Sequence, residues 1–289
     1  MKIESQELRA TEIHLDNLRL LRERQEINDA QRALTVDMLS ALLPKDGDAG
    51  EAYRNFCCVF PQADVRSRVK FCQLIFKEAE KDDLRPLFYD AQDTVPAGAH
   101  GKIAIVRNRY NEAAYSALSK FVSRAKLVYS PSFLSACEDV YDGKCQYCIL
   151  PVSDSQNGRM FGFNSTVDRF EFRVCAACNI DTEGAAESVK YALIGRVLPD
   201  RAPKNAPRRF EFSVISDTGK IISRILEAAE IFGADLSGVD SLPVEYGDEL
   251  QKYYFTLRMN AIDIRGLDLF LSEEYASYAP LGYYPIIKK

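Results

Sequence analysis

Apolar positions in the first part of the chain recur at helical spacing. Residues 5–43 contain neither Gly nor Pro, and an apolar side chain recurs every seven residues, at Ile13, Leu20, Ile27, Leu34 and Ala41. This interval is typical of a long helix that packs lengthwise against other helices. Two further helical patterns follow over residues 51–60 and 64–83. We therefore predict an all-helical domain over residues 1–95. We expect it to form a homodimer, because a single long helix would leave much of its apolar stripe exposed.

From Lys102 the pattern changes to short apolar runs that alternate with amphipathic segments. The order strand, helix, strand predicts a single α/β lobe over residues 101–200, with a parallel sheet and right-handed crossovers. Residues 207–289 carry the patterns strand, helix, strand, strand, helix, strand, which is the ferredoxin-like order βαββαβ. The predicted fold class is therefore multidomain α+β, with linkers near residues 90–102 and 201–209.

Composition argues against some classes of protein. The chain has 289 residues and a net charge of −5 at pH 7, with a pI near 5.3. A dedicated nucleic-acid binder is not expected, because such proteins neutralise phosphates with basic side chains. No apolar run approaches the ~18 residues of a membrane span, and the amino terminus lacks the apolar core of a signal peptide. We therefore expect a cytoplasmic protein that binds neither nucleic acid nor membrane.

The chain contains eight cysteines, which are expected to be reduced thiols in the cytoplasm. Cys145 and Cys148, followed by Cys175 and Cys178, have the number and spacing of a tetrahedral zinc site. However, both pairs lie in apolar runs without the Gly or Pro of a zinc knuckle, and residues three apart in a strand face opposite sides of a sheet. We expect buried thiols, no metal and no cofactor. A zinc-stabilised scaffold with four Cys ligands is an alternative.

Several motifs near the carboxyl terminus resemble the ACT domain that closes prephenate dehydratases. The stretch TGKIISRIL is similar to the family's Gly-Ala-Leu segment, DSLP stands where the family has Glu-Ser-Arg-Pro, and LGYYP is similar to Leu-Gly-Ser-Tyr-Pro. The resemblance implies an ACT-like regulatory domain over residues 207–289 that binds phenylalanine or a related amino acid. The implied ligand-binding residues are Gly219, Lys220, Ile221, Asp240, Ser241, Leu242 and Pro243.

The middle of the chain resembles the dehydratase domain itself. KIAIVRNRYNEAAYSALSKF is similar to its opening strand and helix, with Asn111 at the family's serine, and ILPVSDSQNGRM stands where the family carries Pro-Ile-Glu-Asn-Ser. VKYALIGR resembles its Thr-Arg-Phe strand. An all-α domain ahead of these two is the layout of the bifunctional chorismate mutase/prephenate dehydratase. The resemblance therefore implies a chorismate-mutase-like domain, a truncated dehydratase-like lobe that is half of a periplasmic-binding-protein fold, and an ACT domain.

The chain departs from the family at the positions that carry its chemistry. The family threonine tied to loss of the hydroxyl corresponds to Val189, and the neighbouring arginine corresponds to Lys190. Valine cannot donate a proton, and loss of a positioned acid typically costs ~10²- to 10⁴-fold in rate. Ser153 and Asp154 replace a glutamate and an asparagine, while Ser155 is retained. The connector at residues 180–189 is too short for the second lobe that forms half of the family's substrate cleft.

These departures predict a catalytically impaired, dimeric relative that binds an aromatic amino acid or a pathway intermediate, prephenate or chorismate, and acts as a regulator or assembly partner. The alternative is an active prephenate dehydratase or chorismate mutase of L-phenylalanine biosynthesis. Its catalytic residues would be Asp154, Ser155 and Lys190 in the dehydratase, and Arg9, which matches the first family arginine, in the mutase. The mutase acts by holding its dianionic substrate with several cations.

Overall fold

The computed structural model describes residues 16–28, 48–76, 97–154, 158–181, 188–199, 208–244, 249–259 and 264–287. The chain divides into two compact units, residues 1–63 and 64–289. In the first unit, helix α1 covers residues 16–28 and helix α2 is Ala49–Val59. The side chains of α1 are exposed, and the rest of the predicted long helix lies outside the described residues. Helix α2 begins after Asp48, whose side chain accepts a hydrogen bond from the Gly50 amide.

The second unit contains the remaining helices and all the described strands. Its helices are α3 (Val65–Ile75), α4 (Arg109–Leu118), α5 (Phe133–Tyr141), α6 (Phe161–Arg169), α7 (Lys220–Ile231) and α8 (Ile264–Glu274). Its strands are β1 (Lys102–Val106), β2 (Lys126–Ser130), β3 (Tyr147–Asp154), β4 (Gly158–Arg159), β5 (Arg173–Asp181), β6 (Ser188–Gly195), β7 (Arg208–Ser216), β8 (Ala234–Pro243), β9 (Gln251–Met259) and β10 (Ala279–Ile287). None of the described helices is both long enough and apolar enough to cross a bilayer.

The strands form one mixed sheet in the order β2-β1-β3-β6-β5-β10-β7-β9-β8, with β4 paired only to β3. The predicted parallel pairing is found between β1 and β2 and between β1 and β3. Strand β6 is antiparallel to both β3 and β5, so the sheet of the lobe is mixed and the predicted parallel arrangement is confirmed only for β1 with its two neighbours. Only residues 182–187 separate β5 from β6. A parallel crossover needs about a dozen residues or more, so this connection favours antiparallel pairing.

Strand alternation divides the core of the lobe, residues 102–199, into two apolar layers. One layer contains Ile103, Ile149 and Leu193 with residues of α4, and the other contains Ala104, Leu150 and residues of α5 and α6. The sheet therefore has helices on both faces, as expected for an α/β protein.

The C-terminal domain, residues 208–287, has the predicted order βαββαβ, and its four strands form antiparallel pairs in the order β10-β7-β9-β8. Helix α3, which we expected in the first domain, packs against α7 and α8. Arg68 of α3 lies 2.5 Å from the Glu274 carboxylate, and the Gln73 amide donates to the Ile231 carbonyl at 3.2 Å. The boundaries 1–95, 101–200 and 207–289 stay predictions.

The lobe and the C-terminal domain share the sheet. Strand β10 pairs parallel to β5 at Ile286–Ala177 and Ile287–Cys178. Gly282 of β10 lies so close to the Val174 backbone that a Cβ atom there would run into the Val174 carbonyl. The lobe and the C-terminal domain, which we expected to be separated by a linker, are therefore directly hydrogen-bonded to each other.

Candidate functional site

The carboxyl ends of β1, β3 and β5 meet at one edge of the sheet, where open α/β proteins usually bind ligands. Strand β1 ends at Val106, β3 at Asp154 and β5 at Asp181. Strand β6 starts at the same edge, and the register places Val189 between Asp154 on one side and Ile180 on the other. This edge contains the positions that resemble the dehydratase motifs. Ser155 and Arg9, which would be catalytic residues only in the active alternative, lie outside the described residues.

Asn111 connects the start of α4 to the end of β1. Asn108 caps the helix, because its Oδ1 atom accepts a hydrogen bond from the Asn111 amide at 2.8 Å. The fully buried Asn111 side chain donates through Nδ2 to the Val106 carbonyl at 2.7 Å. Its Oδ1 atom is buried without a hydrogen-bond partner among the described residues. The position that resembles a family serine therefore fixes the helix and retains one unsatisfied acceptor.

Val189 and Lys190 face opposite sides of the sheet because they are neighbours in a strand. Val189 packs against the apolar layer that includes α4. Lys190 is on the same face as Ala192, which belongs to the layer that includes α5 and α6. The register pairs Lys190 with Ser153, and Val189 with Asp154. The two positions that resemble the Thr-Arg motif therefore meet different environments.

The Lys190 ammonium group is engaged by the C-terminal domain. Its Nζ atom lies 3.4 Å from Glu211 Oε1 and donates to the Tyr284 hydroxyl oxygen at 3.0 Å. The same Glu211 oxygen accepts from the Tyr284 hydroxyl at 2.6 Å and from the Thr256 hydroxyl at 3.2 Å. The Glu211 side chain is 1% exposed and that of Lys190 is 19% exposed. We call these four residues the Lys190 cluster.

Sequence reasoning missed Glu211, Thr256 and Tyr284. Glu211 lies inside the apolar run RFEFSVI, and a buried acid in such a strand needs a cationic or hydrogen-bonding partner. That signal was available, but it does not reveal which cation is the partner, because Lys190 is 21 residues away in the sequence.

The two predicted ligand segments of the C-terminal domain lie at one end of its sheet. Gln251 of β9 pairs with Ser216 on one side and with Pro243 on the other. The segment 219–221 follows β7, and residues 240–243 are the last four of β8. The two strands that carry these segments are separated only by β9, which corresponds to roughly 10 Å.

The start of α7 leaves space above Gly219. A Cβ atom at Gly219 would have no heavy atom within 4 Å. The Lys220 amide already donates a hydrogen bond to Thr218 Oγ1 at 3.2 Å. Asp240 and Leu242 are half-buried, whereas Ser241 and Pro243 are exposed. These four residues form a strand paired with β9.

The four candidate zinc ligands do not converge. Cys145 and Cys148 belong to one apolar layer, and Cys175 and Cys178 belong to the other. Our expectation that residues three apart would face opposite sides fails for both pairs. Cys145 precedes β3, and the register shifts between Val174 and Ala176 in β5. Burial raises the pKa of the Cys148 thiol well above its ordinary value. Among the described residues, no group of three or more His, Cys, Asp or Glu side chains is arranged to hold a metal.

Two solved structures have a similar fold over about two thirds of this chain. The structure matches the prephenate dehydratase from Streptococcus mutans with a TM-score of 0.53 at 15% identity, covering 64% of this chain and 98% of that chain. It matches a protein described as GqqA, a novel type of quorum quenching acylase, with a TM-score of 0.51 at 14% identity, covering 64% of this chain and 94% of that one. No protein-family model matches the sequence, and no curated protein matches it. At this identity the likeness establishes the fold alone.

Proposed function

We propose that this protein is a relative of the chorismate mutase/prephenate dehydratase family that has lost dehydratase activity and binds an aromatic amino acid through its C-terminal domain. The observation that carries the proposal is the Lys190 cluster. The cation at the position of the family arginine is 3.4 Å from the buried carboxylate of Glu211. It is therefore already neutralised and is not available to fix a substrate carboxylate.

Val189 supports the same conclusion. Its side chain is hydrocarbon, and it packs against the apolar layer beside α4. It cannot protonate a leaving hydroxide, and a missing general acid typically costs ~10²- to 10⁴-fold.

The alternative is an active prephenate dehydratase or chorismate mutase of phenylalanine biosynthesis. One observation favours this second candidate, because the C-terminal domain brings an acid and two hydroxyl groups next to Lys190. The fold does not decide between the candidates, since one fold neighbour is described as an acylase and another as a dehydratase.

Turnover of prephenate and chorismate by the purified protein separates these two candidates. Product formation is followed by absorbance, and we expect no conversion above the uncatalysed rate. Val189→Thr is the informative variant, because it restores a hydroxyl at nearly constant volume. Conversion by the wild-type protein that falls in Lys190→Met would establish the enzyme and refute our proposal.

The amino-acid proposal rests on the two ligand segments that share one end of the C-terminal sheet. Thermal unfolding with phenylalanine, tyrosine and tryptophan tests it, because a ligand selective for the folded state raises Tm. We expect Gly219→Leu to abolish the shift, since a side chain there enters open space above the start of α7. Gly162→Leu is the matched control, because Gly162 also lies at the start of a helix with open space around it. The absence of a shift at millimolar ligand in the wild-type protein would contradict the proposal.

We also propose that the protein is a homodimer. The ligand segments of ACT domains in the resembled family close over phenylalanine across a subunit interface. Light scattering of the purified chain should therefore give twice the mass of 32.6 kDa.

A further inference from the structure

Two polar bridges connect the lobe to the C-terminal domain. The first is the Lys190 cluster, in which Lys190 comes from β6 and its partners come from β7, β9 and β10. In the second bridge, Asp168 of α6 accepts from Lys252 Nζ at 2.7 Å and from the Tyr254 hydroxyl at 2.7 Å. The backbone pairing between β5 and β10 covers only two residue pairs. Apolar side chains of both segments also share one core layer, so the two bridges add polar contacts across a boundary that is already packed.

The two bridges differ in burial. The side chains of Asp168 and Lys252 are 27% and 24% exposed, whereas that of Glu211 is 1% exposed. A solvent-exposed ion pair contributes little to stability. Removing one partner of a buried pair is costly, because it leaves the other charge buried and uncompensated. Glu211 accepts from Tyr284 and Thr256 as well as from Lys190. The Lys190 cluster is therefore the bridge whose disruption has the larger consequence.

The cluster lies between the two candidate sites. Lys190 is adjacent in β6 to Val189, which lies at the carboxyl edge of the lobe. Glu211 lies in β7, and β7 ends at Ser216, two residues before Thr218 and the start of α7. Strand β6 therefore connects the cluster to the site in the lobe, and strand β7 connects it to the site in the C-terminal domain.

We propose that the Lys190–Glu211 ion pair is the joint that holds β6 in place against the C-terminal domain and couples the two candidate sites. This inference rests on the proposed function for the identity of the sites, but the joint itself does not need a ligand. In this role Lys190 is a positioning residue.

Hydrogen exchange measured by mass spectrometry tests the joint directly. We expect Glu211→Gln, which keeps the acceptor and removes the charge, to raise the exchange rates of amides in residues 188–195 by about 10²-fold. Residues 126–130 of β2, at the far edge of the sheet, are the internal reference and should not change. The matched control is Asp235→Asn, which removes one partner of an exposed pair whose Nε–Oδ2 distance is 3.9 Å.

Two further variants distinguish a specific effect on β6 from general unfolding of the protein. Thr256→Val removes one hydroxyl donor at nearly constant volume and should raise the same exchange rates by a smaller factor, about 5- to 10-fold. Lys190→Met combined with Glu211→Leu replaces both charges and should reverse most of the increase seen in Glu211→Gln, because the apolar pair leaves no buried charge. The remaining increase should be that of the Tyr284 and Thr256 hydroxyls, which lose their acceptor. Unchanged exchange in residues 188–195 of Glu211→Gln, or an equal increase in residues 126–130, would overturn the joint.

A ligand measurement distinguishes failure of the joint from failure of the proposed function. If phenylalanine binds, its effect on exchange in residues 188–195 should be present in the wild-type protein and lost in Glu211→Gln. If phenylalanine does not bind but Glu211→Gln still loosens β6, the amino-acid proposal fails and the joint stands. If phenylalanine binds and its effect on β6 persists in Glu211→Gln, the coupling is wrong and the amino-acid proposal stands.

Discussion

Asp268 allows a direct test of how burial of a carboxyl group affects the stability of this protein. Its carboxyl group lies on α8, is 8% exposed and accepts a hydrogen bond from the Tyr278 hydroxyl. Burial raises the pKa of Asp268 from 3.8 to about 6, and the Tyr278 hydrogen bond opposes this shift. We predict that Asp268→Asn, which keeps the shape and an acceptor oxygen, stabilises the protein at neutral pH.

The sign and size of this effect follow from linkage between proton binding and folding. The folded pKa lies above the unfolded value, so the protonated carboxyl favours folding. This contribution is complete below pH 3.8 and is lost as the pH rises through about 6. A shift of about two units corresponds to roughly 3 kcal/mol. The asparagine amide also buries N–H groups that need partners, so we expect a net gain of about 1–3 kcal/mol at pH 7 and above.

Urea denaturation followed by circular dichroism at several values between pH 4.5 and pH 8 measures the prediction. The difference in unfolding free energy between Asp268→Asn and the wild-type protein should grow as the pH rises to about 7 and then level off. Asp235→Asn is the control, since it removes a carboxylate of the same domain that is 58% exposed. A difference that stays constant across this range, or that favours the wild-type protein increasingly at higher pH, would refute the reasoning.

Three further changes test the packing of the second unit by urea denaturation. Gly282→Ala should destabilise by about 1–3 kcal/mol because its methyl group would meet the Val174 carbonyl, whereas Gly238→Ala has open space; equal effects would contradict the close approach. Asn108→Ala removes the cap of α4 and should cost about 1 kcal/mol, and a neutral result would show that the cap is dispensable. Phe255→Ala should cost about 3–5 kcal/mol because this ring is fully buried, and a cost below 1 kcal/mol would be inconsistent with that burial.

The candidate site was only partly predictable from the sequence. Motif resemblance identified Val189 and Lys190, and the structure places both at the carboxyl edge of the lobe, but on opposite faces. Glu211 was missed because its partner is not encoded by any local spacing. The zinc alternative depended on sequence spacing, whereas the register shift after Val174 and the sheet itself distribute the thiols between two layers.

The sequence by itself determined the order and type of nearly every described element of the second unit. Strands and helices follow from periods of two and 3.6 residues, which are local properties of the chain. Tertiary structure alone decided that β10 pairs with β5, that α3 packs on α7 and α8, and that Glu211 holds Lys190. The physical reason is that an edge strand offers the same backbone groups to any partner, and a buried charge accepts any suitable counterion. Which partner is chosen depends on the packing of the whole chain.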